Sequence, residues 1–408
     1  MCDETRIDRR KFLGFAGFAG GALSLEPKAG SAQEPTERSV IWNSNFDPES
    51  LDPKWNPRAL PEKGETIHEF DIDLVIAEHE IVPRIVFHAY AYNGVVPGPE
   101  LRVREGEWIK VNFTNKTHDL HTIHWHGIDL ACEMDGVPLG TQYPVMYNQT
   151  FQYLFRAQPS GTHWYHCHNM TPLHIQAGMY GPLIVEPIND PVLQAFPYSR
   201  DYTLVLSEID TDYVRDQMNA MLQMGEVMDY MNGSPTLMKE MSGKMMGWFV
   251  NKEAFVKAVK DGWTPPYDPS IAGPPRLPNP NFFMINGKSY PMTEPIMIKS
   301  GEFIRVRFIN AGAATRFMHL HGHDFWVVCE DGAPLASPIR HNTVAVHPSN
   351  TVDIIIHGTN PGMWHFHDHS EISDTNNGSF PGGMMTMLMY EDAAKYGVHV
   401  PDIVAVNS

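Results

Sequence analysis

Cysteine and basic residues are both scarce in this chain of 408 residues. There are four cysteines, and 30 lysines and arginines stand against 48 aspartates and glutamates, which gives a formal net charge of −18. So few cysteines in a chain of this length do not form a disulfide framework, although Cys132 and Cys329 remain open as either a pair or two buried thiols. The acidic balance predicts a self-repelling surface without a nucleic-acid partner.

Long apolar runs are also lacking, and the longest N-terminal one is too short to span a bilayer. Arg9, Arg10 and Lys11 precede a glycine-rich, mildly apolar stretch, and the small residues of 29–32 offer a cleavage site. This pattern over 1–32 resembles a twin-arginine export signal, with an ordinary secretory signal as the alternative. Either predicts an exported protein, periplasmic or extracellular, without a membrane span. Residues 33–65 are rich in proline and polar residues, which predicts an extended arm.

Helical patterns are scarce before about residue 190, whereas short alternating segments separated by Gly, Pro and Asn predict strands. The sequence then repeats itself: GEWIKVNFTN from 106 recurs as GEFIRVRFIN from 301, and HWHG from 124 as HLHG from 319, both 195 residues later. The repeat predicts an all-β protein of two Greek-key β-sandwich domains, over 66–190 and 281–408.

The segment 191–280 between the two repeats differs in composition. Methionines recur between 218 and 246 at steps of three and four, which predicts helices with a methionine face, and a proline-rich linker follows. Thioethers bind soft ions such as Cu(I), but packing of a partly helical insert against a sandwich is the plainer interpretation.

A His-Cys-His triplet lies in the stretch HWYHCHNMTPLHIQAGM, from 163 to 179. A thiolate, two imidazoles and a weak thioether form the ligand set of a blue-copper centre. Neighbouring side chains of a strand point to opposite faces, so Cys167 and its flanking histidines serve different sites. The predicted blue site comprises Cys167, His174, axial Met179 and His121, which is out of phase with the HWHG histidines.

The second repeat keeps the paired histidines and loses the blue site. Arg316 stands at the position of His121, Phe366 at that of Cys167, and only Met384 matches a blue-site residue. Four His-x-His pairs remain, which suit a trinuclear copper cluster because eight imidazoles are too many for a mononuclear site. The predicted cluster ligands are His124, His126, His166, His168, His319, His321, His365 and His367.

The motifs HTIHWHG, HWYHCH, HLHGH and WHFH resemble the four copper motifs of multicopper oxidases of the cupredoxin superfamily. With the blue site in the first of two domains, the chain resembles a two-domain, laccase-like member. The stretch MTPLHIQAGM is similar to the blue-site loop of copper nitrite reductases. His163, His323 and His369 lie near the motifs and are interpreted as supporting or packing residues.

The resemblance implies that a small-molecule or metal-ion donor passes single electrons to the blue copper, and that dioxygen is reduced to water at the cluster. Water formation needs protons, so Asp135, at the position of an acid in such oxidases, and Asp368 are the candidate proton donors. The resemblance also implies a homotrimer in which each cluster lies between the first domain of one chain and the second domain of its neighbour.

Four functions therefore stand as alternatives. A phenol or aromatic-amine oxidase is favoured, and a cuprous or other metal-ion oxidase in copper tolerance is the next candidate. A copper nitrite reductase needs only three histidines at its second copper, so the intact second-domain pairs disfavour it. A metal-free, copper-sequestering relative is disfavoured because the ligand sets are complete.

Overall fold

The computed structural model describes residues 56–138, 140–219 and 277–399, and these fold as two β-sandwiches. The predicted export signal, most of the N-terminal arm, and the methionines from 221 to 246 lie outside the described residues. No helix among the described residues is long and apolar enough to cross a membrane.

The first sandwich contains two four-stranded sheets, in the orders β2-β1-β4-β6 and β3-β8-β7-β5. Burial alternates along β3 and is continuous along β7, and Trp125, Trp164 and Tyr165 are among the largest side chains of the core. The strands are β1 (Ile67–Val82), β2 (Ile85–Tyr92), β3 (Leu101–Arg104), β4 (Trp108–Asn115), β5 (His124–His126), β6 (Thr150–Arg156), β7 (Gly161–His166) and β8 (Tyr180–Glu186).

The second sandwich contains sheets in the orders β10-β9-β12-β17-β14-β15 and β11-β19-β18-β13-β16. Its strands are β9 (Arg200–Ile209), β10 (Phe282–Ile285), β11 (Ile296–Ile298), β12 (Phe303–Asn310), β13 (Arg316–Leu320), β14 (Phe325–Glu330), β15 (Ala333–His341), β16 (Thr343–Val346), β17 (Thr351–His357), β18 (Met363–Asp368) and β19 (Met385–Tyr390). Short helix α1 (Thr171–His174) lies in the first sandwich, and α2 (Pro191–Ala195) packs its buried Val192 against the second.

The internal repeat of the sequence corresponds to a repeat of strand pairing. In the first sandwich β4 pairs in parallel with β1, and β8 in parallel with β3. In the second, β12 pairs in parallel with β9, and β19 in parallel with β11. The paired motifs therefore occupy equivalent strands, which confirms the predicted all-β class with two cupredoxin-like domains.

Strand β9 departs from the predicted domain boundary. It lies within 191–280, the range assigned to the insert, but pairs with β12 and β10 and so begins the second sandwich. The strand carries no histidine motif, and the repeated motifs that defined the second predicted domain begin only at 301. Residues 211–219 are helical, and Met218 packs into the first core. Of the methionines between 218 and 246, Met218 is the one that the structure describes, and its burial agrees with packing against a sandwich.

A buried ionic network joins the two sandwiches. The Arg305 Nη2 donates to Asp353 Oδ2 at 2.6 Å, and Arg307 Nη1 donates to the Thr162 hydroxyl of β7 at 2.8 Å. Thr162 in turn donates to Asp353 Oδ1 at 2.8 Å. Removing one partner from such a network leaves a buried charge without compensation. The network therefore fixes β7, whose end carries the His-Cys-His triplet, against the second sandwich.

Candidate metal centres

Cys167 follows the last residue of β7, and its sulfur faces two imidazoles. The Sγ atom lies 3.6 Å from His121 Nδ1 and 3.3 Å from His174 Nδ1. His121 lies between Thr117 and β5, and its main chain forms a β-bridge with Val145. Helix α1 begins after Met170, whose φ of 43° reverses the chain so that His174 points back at the sulfur. The ligand atoms of these three residues lie within 4.8 Å of one another.

Met179 completes this group of side chains in the core. Its amide donates to the carbonyl of His174 at 2.9 Å, and its carbonyl accepts from the amide of Cys167 at 3.2 Å. The residue is fully buried in the same core cluster as Cys167. The main chain therefore ties Met179 to two of the three converging residues.

Burial sets the protonation states of this first group. It raises the pKa of the Cys167 thiol to about 12 and lowers the pKa of His174 to about 3. The pKa of His121 is lowered well below its ordinary value by the same desolvation. Neutral imidazoles are ready to bind a metal, whereas the thiol must lose its proton. One soft sulfur, two imidazoles and a thioether fit copper.

Tyr90 packs on both imidazoles of this group. Its ring centroid lies 5.2 Å from that of His121 and 5.2 Å from that of His174, with edge-to-face geometry at both. The phenol donates a short hydrogen bond to the buried carboxylate of Asp119. Sequence reasoning missed this pair, because Tyr90 lies on β2, outside every histidine motif.

The first set of paired histidines lies on the other side of the triplet. Ligand atoms of His124, His126 and His166 lie within 4.8 Å of one another. The ring of His168 lies 5.4 Å from that of His124 and 6.1 Å from that of His166. Residue 125 between the β5 histidines points into the core instead, as the period of a strand requires. The triplet thus separates Cys167 from its two neighbours, as the sequence predicted for its side chains.

Main-chain carbonyls orient the rings of the first set. The Nδ1 of His124 donates to the carbonyl of Asp135 at 2.8 Å, and that of His166 to the carbonyl of Cys167 at 3.0 Å. Such bonds fix the tautomer and leave Nε2 free for a metal. Burial also lowers the pKa of His166 to about 3 and that of His126 to about 4. These imidazoles are neutral at physiological pH.

The second set comes from β13, β18 and the residues that follow them. Ring centroids lie 4.9 Å apart for His319 and His321, 5.6 Å for His321 and His365, and 5.2 Å for His321 and His367. His321 and His365 are exposed to solvent. His369, which was interpreted from the sequence as a supporting residue, also lies 5.4 Å from His319. Five imidazoles therefore gather on an open surface.

The two sets remain apart within one chain. Among residues 56–138, 140–219 and 277–399, each close ring contact of these histidines joins members of the same set or a neighbouring tryptophan of that set. The first set is largely enclosed and the second is open, so a further group of ligands can approach the second set.

The two candidate proton donors differ in their surroundings. The Asp135 carboxylate lies 3.3 Å from His124 Nδ1, at the edge of the first set. Asp368 points away from the second set: it is fully buried, and it accepts from the amide of Phe317 at 2.7 Å and the hydroxyl of Ser373 at 2.6 Å. Alternation along β18 directs Asp368 to the core face, opposite to His367.

Asp374 is the acid that contacts the second set. Its Oδ2 accepts from His367 Nδ1 at 2.8 Å, and this bond raises the pKa of His367. A carboxylate that holds the outer nitrogen of a metal-binding histidine orients the ring and raises its basicity. Sequence reasoning missed Asp374 because a 3-10 turn over Glu371–Asp374 returns it to the strand.

An ion pair occupies the second sandwich where the first has the residues of the predicted blue site. Arg316, at the position of His121, contacts Asp368 with its Nη1 at 3.3 Å and forms a close ion pair with Glu208. Phe366 and Met384 are fully buried in the second core. The second sandwich therefore has no sulfur–imidazole group at this place among its described residues.

The remaining histidines and cysteines have other roles. His163 hydrogen-bonds the carbonyl of Pro159 at 3.0 Å and packs against glycines. Both ring nitrogens of His323 are occupied, by the carbonyl of His321 and the hydroxyl of Tyr390. Cys132 is exposed, Cys329 is buried, and both are free thiols. A pair between them is thereby excluded, and the alternative of two buried thiols is correct for Cys329 and wrong for Cys132.

Comparisons with known proteins agree with this arrangement. Two sequence profiles described as multicopper oxidase match residues 79–190 and 263–387, which together are more than half of the chain. Copper resistance protein A of Pseudomonas syringae pv. tomato is 29% identical over 370 residues, covering 87% of this chain and 53% of the relative. The chain spans about half the length of the curated relatives it matches.

Solved structures are similar over most of both chains. The blue copper oxidase of Nitrosomonas europaea is 34% identical, with a TM-score of 0.63, over 80% of this chain and 86% of that one. The multicopper oxidase mgLAC is 32% identical, with a TM-score of 0.64, over 83% of this chain and 89% of that one. The chain belongs to the multicopper oxidase family, oxidoreductases that bind type 1 and trinuclear copper centres.

Proposed function

We propose that this oxidase takes single electrons from a phenol or aromatic amine and reduces dioxygen to two waters. The proposed type 1 ligands are His121, Cys167, His174 and Met179. The proposed trinuclear ligands are His124, His126, His166 and His168 with His319, His321, His365 and His367. Bound copper would supply one-electron acceptance at the first site and multi-electron dioxygen reduction at the second.

The observation that carries this proposal is the division of the His-Cys-His triplet. Cys167 lies against His121 and His174, whereas His166 lies against His124 and His126. One peptide unit therefore connects the two groups, and the Nδ1 of His166 is hydrogen-bonded to the carbonyl of Cys167. An electron accepted at the sulfur has a covalent path to the paired histidines.

The remaining side chains supply orientation and protons. Asp135 holds His124 through its carbonyl and places its carboxylate beside the first set. Asp374 holds His367 in the second set. We propose Asp135 as a proton donor for water formation, since it is polar, partly exposed and adjacent to the proposed cluster. Asp368 is better explained as the partner of Arg316 and Ser373 in the core.

Oxygen consumption by purified, copper-loaded protein tests the oxidase function. Phenols and aromatic amines should support oxygen uptake, with four electrons drawn from the donor for each dioxygen consumed. Nitrite reduction without oxygen uptake would indicate the nitrite reductase alternative, and failure of the purified protein to bind copper would indicate the metal-free relative.

A cuprous oxidase is the second candidate, and the copper-resistance relatives favour it. Cu(I), Fe(II) and Mn(II) therefore belong in the same survey of donors. Deleting 218–246 should abolish Cu(I) oxidation and spare phenol oxidation if the methionines hold the ion. The burial of Met218 in the first core instead supports a packing role for that residue.

We further propose that the chain works as an exported homotrimer with clusters between protomers. The openness of the second histidine set, with His321 and His365 exposed, supports a cluster completed by a neighbouring chain. A heterologous interface that closes into a ring satisfies every copy in this way. Ultracentrifugation of an active monomer with its full copper complement would contradict the trimer.

Mixing inactive variants tests the shared cluster directly. His124→Ala disables one half and His319→Ala disables the other, so each homotrimer is inactive. Co-refolded mixed trimers should recover part of the oxygen uptake, because some interfaces then join two intact halves. If both halves came from one chain, mixing would restore nothing, and two variants within the same set, such as His124→Ala with His126→Ala, provide the negative control.

A further inference from the structure

A row of three methionines crosses one sheet of the second sandwich. Met389 of β19 is paired in register with Met297 of β11 on one side and with Met363 of β18 on the other. Residues in register on neighbouring strands place their side chains on the same face of a sheet, with Cβ atoms about 5 Å apart. The three thioethers therefore lie side by side on one face, and we call them the methionine row.

The methionine row faces away from the core. Side chains alternate between the two faces along a strand, and the neighbours Ile296 and Leu388 are buried in the core of the second sandwich. Met297, Met363 and Met389 themselves are partly exposed. The row is therefore accessible from solvent in the single chain.

The same face of the sheet leads to the second histidine set. Next along β19, Met387 is in register with His365, and Met385 is in register with His367. Both of these methionines are buried, with 6% and 3% of their surface exposed. Each of the two histidines thus has a thioether beside it on the neighbouring strand. A continuous series of soft sulfur atoms joins the methionine row to the open histidines.

The first sandwich has other residues in the corresponding row. Arg102, Ile184 and Thr162 are in register across β3, β8 and β7, the strands equivalent to β11, β19 and β18. Arg102 precedes Met297 by 195 residues, the same offset that separates the repeated motifs. The fold therefore does not require methionine at these positions, and the geometry of the sheet alone does not explain three sulfurs in one row.

Three thioethers on one face suit Cu(I). Thioether sulfur is a soft ligand that selects Cu(I), whereas Mg²⁺, Ca²⁺ and Mn²⁺ prefer carboxylate and carbonyl oxygen. A methionine side chain has three rotatable bonds, so the sulfurs of Met297 and Met363 can lean towards Met389 and share one ion. The face thus offers a site for a soft monovalent cation next to histidines that suit copper.

We propose that the methionine row binds Cu(I) and passes it, by way of Met387 and Met385, to the second histidine set while the copper centres are assembled. The transfer is a ligand exchange: a copper–sulfur bond breaks as a copper–nitrogen bond to an imidazole forms. The ion remains Cu(I), so the step needs no oxidant or reductant. The proposal rests on the proposed assignment of these histidines to copper.

Met389→Leu tests the binding site, because it removes the central sulfur and nearly conserves the volume of the side chain. Met292→Leu is the matched control, since Met292 is also partly exposed but packs against the first core. Ag(I) serves as a soft probe that keeps its oxidation state. In the copper-free full chain, with carbon-13 in the methionine methyl groups, the signals of Met297, Met363 and Met389 should shift together when Ag(I) is added.

Met389→Leu should weaken this Ag(I) binding by at least about tenfold, because even the loss of a residue that only orients a ligand costs about that much. Met292→Leu should match the wild type. Ag(I) shifts that spare the methionine row would overturn the proposal. So would a Met389→Leu variant that changes its oligomeric state and keeps its Ag(I) affinity, since the row would then be a packing surface.

Reconstitution of copper-free protein tests the transfer. At limiting Cu(I) and without dioxygen, Met389→Leu should load its copper centres more slowly than the wild type and Met292→Leu. Loading from Cu(II) should be unchanged, because thioethers select Cu(I) and imidazoles take Cu(II) directly. At excess copper both variants should reach the copper content and oxygen uptake of the wild type.

The two oxidation states separate a transfer defect from a folding defect. Equal slowing of loading from Cu(I) and from Cu(II) in Met389→Leu would overturn the proposal, because a general defect of the sheet then accounts for it. Unchanged loading from Cu(I) would also overturn it. A wild-type protein that binds Ag(I) at the methionine row but takes up no oxygen when loaded with copper would instead refute the proposed function.

Discussion

Metal binding at Cys167 should release about one proton per ion at neutral pH. Burial raises the pKa of this thiol to about 12, so at pH 7 the protonated form exceeds the thiolate by about five powers of ten. The pKa of His174 is lowered to about 3, and that of His121 is also far below its ordinary value. Both imidazoles are already neutral and release nothing, so the conditional affinity should rise about tenfold per pH unit.

Co(II) is a suitable probe because it does not oxidise the thiol, and its thiolate charge-transfer band reports the Cys167 site alone. Titrations between pH 6 and pH 9 would give the slope of log affinity against pH. Calorimetry in two buffers of different ionisation enthalpy would count the protons independently. Cys167→Ser should lose the charge-transfer band in Co(II) and the blue band in copper, while the histidine sets still take up metal.

The slope of log affinity against pH shows which side chains carry protons before the metal binds. A slope near zero would mean that the thiol is already ionised in the metal-free protein, which would refute burial as the dominant influence on its pKa. A slope near three would mean that both histidines are charged before the metal binds. Either result would require a different environment for the group than the sealed core around Cys167.

Three further predictions concern stability and the cluster. In metal-free protein, His166 and His174 stay neutral when folded but protonate when unfolded. Their contribution to the free energy of unfolding is therefore complete above about pH 6.5 and falls towards pH 3. Urea titrations should show a loss of about 2 kcal/mol for each residue at pH 5. Asp353→Ala should cost about 2–3 kcal/mol, because it removes a buried carboxylate that Arg305 and Arg307 share, while Asp190 and Asp201 stay beside them. Asp324→Ala, in an exposed pair, should cost less than about 1 kcal/mol. Asp374→Asn should weaken copper retention by the cluster about 10- to 100-fold in chelator competition, with the blue band intact.

The fold was predictable because two periodicities agree in the sequence. The repeat at 195 residues indicates two equivalent sandwiches, and the alternation of side chains along a strand is enough to separate Cys167 from His166. The prediction placed His121 beside the sulfur from its odd spacing to His124, and in the structure His121 lies before β5, in an isolated bridge with Val145. Short-range geometry of a strand is encoded residue by residue, so these inferences needed no tertiary information.

What the sequence did not predict depends on chain reversals and long-range pairing. Strand β9 belongs to the second sandwich because β12 pairs with it, and this pairing spans about 100 residues of chain that the histidine motifs do not cover. Asp374 reaches His367 through a turn, so proximity in sequence favoured Asp368 instead. Tyr90 contacts both blue-site imidazoles from β2, a strand that no motif identifies.

The replacement of one residue explains why the second sandwich can do without a metal at the place where the first has sulfur and imidazole. Arg316 brings a permanent cation to the place of His121, and Asp368 and Glu208 neutralise it in the core. A neutral histidine at 316 would leave these two buried carboxylates without their cation, which is costly. Regaining a metal site there would thus require several changes at once. At this place the second sandwich therefore has an ion pair in its core, and its open histidine set lies elsewhere.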